Sequence, residues 1–127
     1  MKNSIEKTIL VVDDDEAVQS TIKELLEFEG YRILVASDGQ SGLRMLLADG
    51  IHVDLIILDL YMPHMDGWQF AHYLKKYGSN EQRKIPIVIT SGTDRVTDAD
   101  MTLMFQGFLH KPFTLENLLT ISKEYCK

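Results

Sequence analysis

A chain of 127 residues, 45% apolar and 25% charged, fits one ordered domain large enough to bury a core without a disulfide or a metal staple. Its net charge of -6 disfavours sequence-independent attraction to nucleic acid phosphates or anionic membrane surfaces, so direct nucleic acid binding is not expected. The single cysteine, Cys126, excludes an intramolecular disulfide, and no apolar run approaches a membrane span or a signal-peptide core; the expectation is a reducing, cytoplasmic setting without membrane insertion.

Ile9 to Val12 is wholly apolar, reads as a buried strand, and breaks off at Asp13-Asp14-Asp15. From Glu16 the apolar positions Val18, Ile22, Leu25 and Leu26 recur at helical spacing, and Gly30 supplies a stop. Tyr31 to Ala36 is a second strand; Ser37-Asp38-Gly39 then turns the chain into a helix carrying Leu43, Leu46 and Leu47, which ends at Asp49-Gly50. The third strand, Val53 to Asp59, repeats the first design and delivers a carboxylate at its carboxyl end. Met62-Pro63 forbids continued pairing, and a helix over Asp66 to Tyr77 offers Trp68, Ala71 and Leu74 to a core.

Gly78 to Lys84 reads as an exposed loop, and Ile87 to Thr90 as a fourth strand ending at Ser91-Gly92-Thr93-Asp94. A helix over Asp94 to Gln106 has a polar first half, leaving Met101, Met104 and Phe105 as its apolar contacts. Phe108-Leu109 is a brief fifth strand ending at His110-Lys111-Pro112-Phe113, and Thr114 can cap a last helix bearing Leu115, Leu118, Leu119 and Tyr125.

Strands alternating with helices predict an α/β fold with a parallel sheet, whose ligands gather at the carboxyl ends of the strands. Asp13, Asp14, Asp59, Ser91 and Lys111 all occupy such ends. Carboxylates gathered there repel by about 4 kcal/mol per pair at 4 Å and an effective dielectric near 20. A proton on one acid offsets this; a hard divalent cation does so better, and carboxylates with a backbone carbonyl suit Mg²⁺. With a lysine and a hydroxyl at the same edge, the set resembles a phosphoryl-binding pocket in which one carboxylate is the nucleophile.

Val11-Val12-Asp13-Asp14, Asp59 to Gly67, Thr90-Ser91-Gly92 and Lys111-Pro112-Phe113 stand in the order of the receiver domain of two-component response regulators, which the chain resembles over nearly its whole length. The resemblance implies a flavodoxin-like, doubly wound (βα)5 fold, with strand order 2-1-3-4-5 and helices on both faces, in a single receiver domain spanning 1-127 without a separate output domain. It implies that Asp59 accepts a phosphoryl group from a histidine kinase or histidine phosphotransfer protein. Asp14, Asp59 and the Tyr61 carbonyl would hold Mg²⁺, with Asp13 acting through water. Lys111 would contact the phosphoryl group, and the Lys111-Pro112 bond would be cis. Ser91 would hydrogen-bond the phosphoryl group, and Phe108 would be the aromatic of the switch. The output would pass to a downstream target protein through the last two helices and the fifth strand, from a monomer.

Two features depart from the family pattern. The segment from Ser91 to Lys111 is short by about two residues, which bears on the output surface, and Phe stands at 108 in place of the commoner Tyr. Tyr61 and Thr93 fall where the family tunes the lifetime of its acyl phosphate. A rival reading is a Mg²⁺-dependent phosphohydrolase with an aspartyl nucleophile, but such sites place a second acid two residues on, where this chain has Tyr61. A phosphate-independent binding module is the other rival, against which the intact set of Asp13, Asp14, Asp59, Ser91 and Lys111 argues. The expectation is a self-phosphorylating and self-dephosphorylating switch, not a turnover enzyme.

Overall fold

The computed structural model describes residues 6–92 and 104–126. Five parallel strands, β1 (Thr8–Val12), β2 (Arg32–Ala36), β3 (Leu55–Asp59), β4 (Ile87–Ser91) and β5 (Gly107–His110), form one sheet in the order β2-β1-β3-β4-β5. The described helices are α1 (Glu16–Phe28), α2 (Gly39–Leu47), α3 (Gly67–Tyr77) and α4 (Leu115–Tyr125). The helix expected over 94–106 falls largely on residues outside those described. The flavodoxin-like order follows the sequence expectation, and each strand lies within a residue or two of its expected bounds.

The pleat sorts the core into two layers, because alternate residues of a strand point to opposite faces. Leu10, Val12, Ile56, Leu58, Ile87 and Ile89 pack with Leu43 and Leu46 of α2 and Phe70, Ala71 and Leu74 of α3. Ile9, Val11, Ile33, Leu55, Ile57, Val88 and Leu109 pack instead with Ile22 and Leu26 of α1 and Leu118 of α4. The central strands are buried on both sides, which is why their sequences are continuous apolar runs without alternation. Phe70 is fully buried and contributes about 1.5–3 kcal/mol by leaving water.

Each described helix opens on a side-chain cap. Asp15 accepts from the backbone N–H of Ala17 and Val18, Asp38 from Ser41, and Thr114 from Asn117. Asp66 and Gln69 form a reciprocal capping box at the start of α3. Gly30, at φ +98°, ends the first helical segment in a conformation that favours glycine. Gly67 answers a different need: a Cβ there would meet the Leu60 backbone at 3.0 Å, and its N–H donates to Leu60 O at 2.7 Å, so α3 begins directly against the end of β3. The loop read over 78–84 contains a single 3₁₀ turn, Gln82–Lys84, whose Gln82 side chain donates to Leu46 O at 2.6 Å and fastens it to α2.

Candidate phosphoacceptor site

Strand register brings the acids together. Val12 lies opposite Leu58, so Asp13, next in the chain, stands level with Asp59, and Asp59 in turn pairs with Thr90. The Asp13 N–H continues the ladder to Ala36 O at 3.1 Å. One oxygen from each of Asp13, Asp14 and Asp59 lies within 4.8 Å of the others, with Asp13 and Asp59 buried and Asp14 exposed. Only 2% of Asp13 and 6% of Asp59 is open to solvent.

Lys111 reaches this row from beyond β5, across the end of β4. Its Nζ donates to Asp13 Oδ2 at 3.0 Å and lies 3.6 Å from Asp59 Oδ2. Its own N–H donates to Ser91 O at 2.8 Å, and the Lys111-Pro112 bond is cis, as the resemblance implies. The second oxygen of Asp13, Oδ1, accepts from the Asp15 N–H at 2.8 Å, while Asp59 Oδ1 accepts from the Tyr61 N–H at 3.3 Å.

These contacts set the electrostatics. Burial and the Asp13 charge push the Asp59 carboxyl up from 3.8 to about 6; Lys111 and the Tyr61 N–H pull the other way, and Asp14 adds to the rise. For Lys111, burial works to lower the ammonium's pKa, but the hydrogen bond to Asp13 and the charges of Asp59 and Asp13 outweigh it and leave it raised. Lys111 is therefore charged, and three carboxylates with one ammonium leave a net of -2 when all are ionised. A divalent cation cancels that sum, and a hard one suits an all-oxygen donor set.

The expected residues separate into two groups. Asp13, Asp14, Asp59 and Lys111 converge. Ser91 is buried at the end of β4, one residue beyond Thr90, and Phe108 lies half-buried on β5 against the layer containing α2 and α3, its ring 6.1 Å from that of His110. Tyr61, two residues after Asp59, is 53% exposed. Thr93 lies outside the described residues.

Two residues of the site had been given no role of their own from sequence. Gln19 is buried on α1 and donates to the Asp13 carbonyl; its signal is a polar residue on the helical stripe of Ile22 and Leu26. Thr90, opposite Asp59, is 1% exposed, and its Oγ1 has no hydrogen-bond partner among the described residues. The direct pairing of Lys111 with Asp13 was also unanticipated, because only the phosphoryl group was expected to engage the lysine.

Comparison with known proteins agrees with this geometry. The family model described as "Response regulator receiver domain" matches residues 9–123. Response regulator MprA of Mycolicibacterium vanbaalenii is 35% identical over 113 residues, and MprA of Mycobacterium ulcerans 36% over 113; each alignment covers 87% of this chain and 46% of the relative. The chain thus spans about half the length of these curated relatives. Among solved structures, chemotaxis protein CheY4 of Vibrio cholerae superposes with a TM-score of 0.84 at 25% identity, covering 95% of this chain and 99% of that one. The signal receiver domain of a signal transduction histidine kinase from Syntrophus aciditrophicus gives 0.79 at 28% identity, over 94% and 89%. No described helix is long and apolar enough to cross a membrane. A sheet in this order, with acids and a lysine meeting at its carboxyl edge and a family match along nearly all of it, places the chain in the response regulator receiver domain family.

Proposed function

We propose that the chain is a phosphoacceptor switch of a two-component system or phosphorelay, with Asp59 as the acceptor. The observation that carries this reading is the Lys111 ammonium, 3.0 Å from Asp13 and 3.6 Å from Asp59, which draws three distant chain segments onto one acidic rim. Asp14 and Asp59 with the Tyr61 carbonyl would hold Mg²⁺, and Asp13 would act through water. When bound, the cation neutralises phosphoryl oxygens and steadies the acceptor in line with the donor.

An oxygen of ionised Asp59 attacks phosphorus as the phosphorus–nitrogen bond of a phosphohistidine donor breaks; the electron pair stays on the departing imidazole nitrogen, which takes a proton from solvent. Lys111 offsets charge on the transferred group, and Ser91 supplies a hydrogen bond to it. The new group carries close to two negative charges, so drawing Ser91 inward leaves room that the Phe108 ring can occupy; the altered surface then binds a downstream protein. An apolar groove of about 420 Å³ lined by Ala17, Val18, Thr21, Lys111, Pro112 and Phe113 adjoins the site and suits the docking of a histidine-bearing donor protein. The switch accepts and loses phosphate without turning over a free substrate, consistent with an exposed Tyr61 where a hydrolase places its second acid.

The test is intact mass after incubation with Mg²⁺ and a small acyl phosphate. Wild type is expected to gain one phosphoryl group and Asp59→Asn none. An equal gain in both would move the acceptor elsewhere and defeat the reading.

A further inference from the structure

Gln19 is the polar residue set into the buried stripe of α1: with Ile22 and Leu26 it faces the sheet, and only 9% of it is exposed. Its Nε2 donates to the Asp13 carbonyl at 2.5 Å and to the Ser37 hydroxyl at 3.2 Å. The first bond ties α1 to the end of β1, and the second reaches the turn after β2. Asp13 is thereby held at every polar atom, since its N–H donates to Ala36 O, Oδ1 accepts from Asp15, and Oδ2 accepts from Lys111. Asp14 comes next in the chain and is exposed, and no hydrogen bond among the described residues holds its carboxylate.

We propose that Gln19 is a positioning residue for cation binding: by fixing the Asp13 carbonyl it sets the peptide from which Asp14 projects, and so keeps the Asp14 carboxylate turned towards Asp59. The inference rests on reading this cluster as a magnesium-dependent phosphoacceptor site. A neutral carboxamide is the donor the position requires. An ammonium or guanidinium would cancel part of the charge that attracts the cation, and a carboxylate has no hydrogen to give the carbonyl. Outer partners that orient metal ligands cost about 10- to 100-fold in metal affinity when removed.

Magnesium chloride titrations of the whole chain by isothermal calorimetry, in wild type, Gln19→Met and Ser37→Ala, test this. Methionine keeps the length and suits a helix but has no donor, and it is expected to raise the magnesium Kd about tenfold. Ser37→Ala keeps the bond to Asp13 and is expected to stay within about twofold of wild type. At magnesium concentrations well above either Kd, transfer from a small acyl phosphate should return to the wild-type rate in Gln19→Met, a split that a general packing defect does not produce. A folded Gln19→Met chain that binds magnesium as tightly as wild type overturns the inference and leaves the site reading standing. A wild type that binds no magnesium overturns both. If Gln19→Met does not fold, Gln19→Asn, whose amide falls one methylene short of the carbonyl, is judged by the same limits.

Discussion

Asp59→Asn exchanges a buried carboxylate for a neutral amide of the same shape, and its effect on stability depends on pH. Burial and the Asp13 charge, partly offset by Lys111, raise the Asp59 carboxyl from 3.8 to about 6. A group whose folded-state value lies above the unfolded one binds its proton more tightly when folded. Its stabilising contribution is therefore complete below the unfolded value and is lost as pH rises through the folded one. At about 1.36 kcal/mol per pH unit, ionising Asp59 in the folded chain costs about 3 kcal/mol above pH 7. Asparagine never ionises. In urea denaturation with a chelator present, the variant should exceed wild type by up to about 3 kcal/mol near pH 8, with the advantage shrinking as pH falls through about 6 towards 4. Added Mg²⁺ should narrow the gap, because it compensates the carboxylate only in wild type. Equal stability near pH 8, or an advantage unchanged down to pH 4, would refute the reasoning.

Three further outcomes follow from the same geometry. Lys111→Met leaves Asp13 and Asp59 without their ammonium; because the lysine is 24% exposed, the loss should be about 2 kcal/mol at neutral pH, below that of a fully buried pair, and smaller in acid where Asp59 takes up a proton, as read by urea denaturation. Thr90→Val removes a buried hydroxyl that lacks a partner among the described residues and should be neutral or stabilising by about 1 kcal/mol in thermal melts; a comparable loss would show that the hydroxyl is satisfied. Tyr61→Asn removes an exposed ring beside the acceptor and should shorten the half-life of the phosphorylated chain, followed by intact mass after donor removal; an unchanged half-life would reject shielding from in-line water by that ring.

Much of the fold was legible because the physics that builds it leaves marks on the sequence. A strand buried on both faces must be apolar throughout, and Ile9 to Val12 and Leu55 to Leu58 are. Three helix starts were readable from Asp38, Asp66 and Thr114, since a short polar side chain is what an open helix end needs, whereas Asp15, which caps α1, was grouped with the acids ending the first strand. Helix faces were harder. Phe70, the largest fully buried residue of α3, was passed over in favour of its neighbour Trp68, which is only half-buried and meets Phe105 with tilted rings 4.8 Å apart. Leu47 was grouped with Leu43 and Leu46, but it is the last residue of α2 and lies at the exposed margin of the helix's apolar face.

The site was legible where strand ends carry it. Asp13, Asp14, Asp59 and Lys111 were placed correctly at one edge by topology alone. Their pairing was not, because register and reach decide it: Lys111 must span the end of β4 before it meets Asp13, and a one-dimensional pattern does not encode that distance. Gln19 was hidden for a related reason. Its importance lies in a carbonyl it touches, and backbone acceptors leave no trace in side-chain spacing.

Chemical mapping of position 59 tests most directly that Asp59 is the group that takes phosphorus. After reaction with a small acyl phosphate in Mg²⁺, borohydride reduction converts an aspartyl phosphate to homoserine, which peptide mass spectrometry locates. Homoserine at position 59, absent when a chelator replaces Mg²⁺, is the predicted result. Homoserine at 13 or 14, or labelling at 59 that is indifferent to the metal, would contradict the claim.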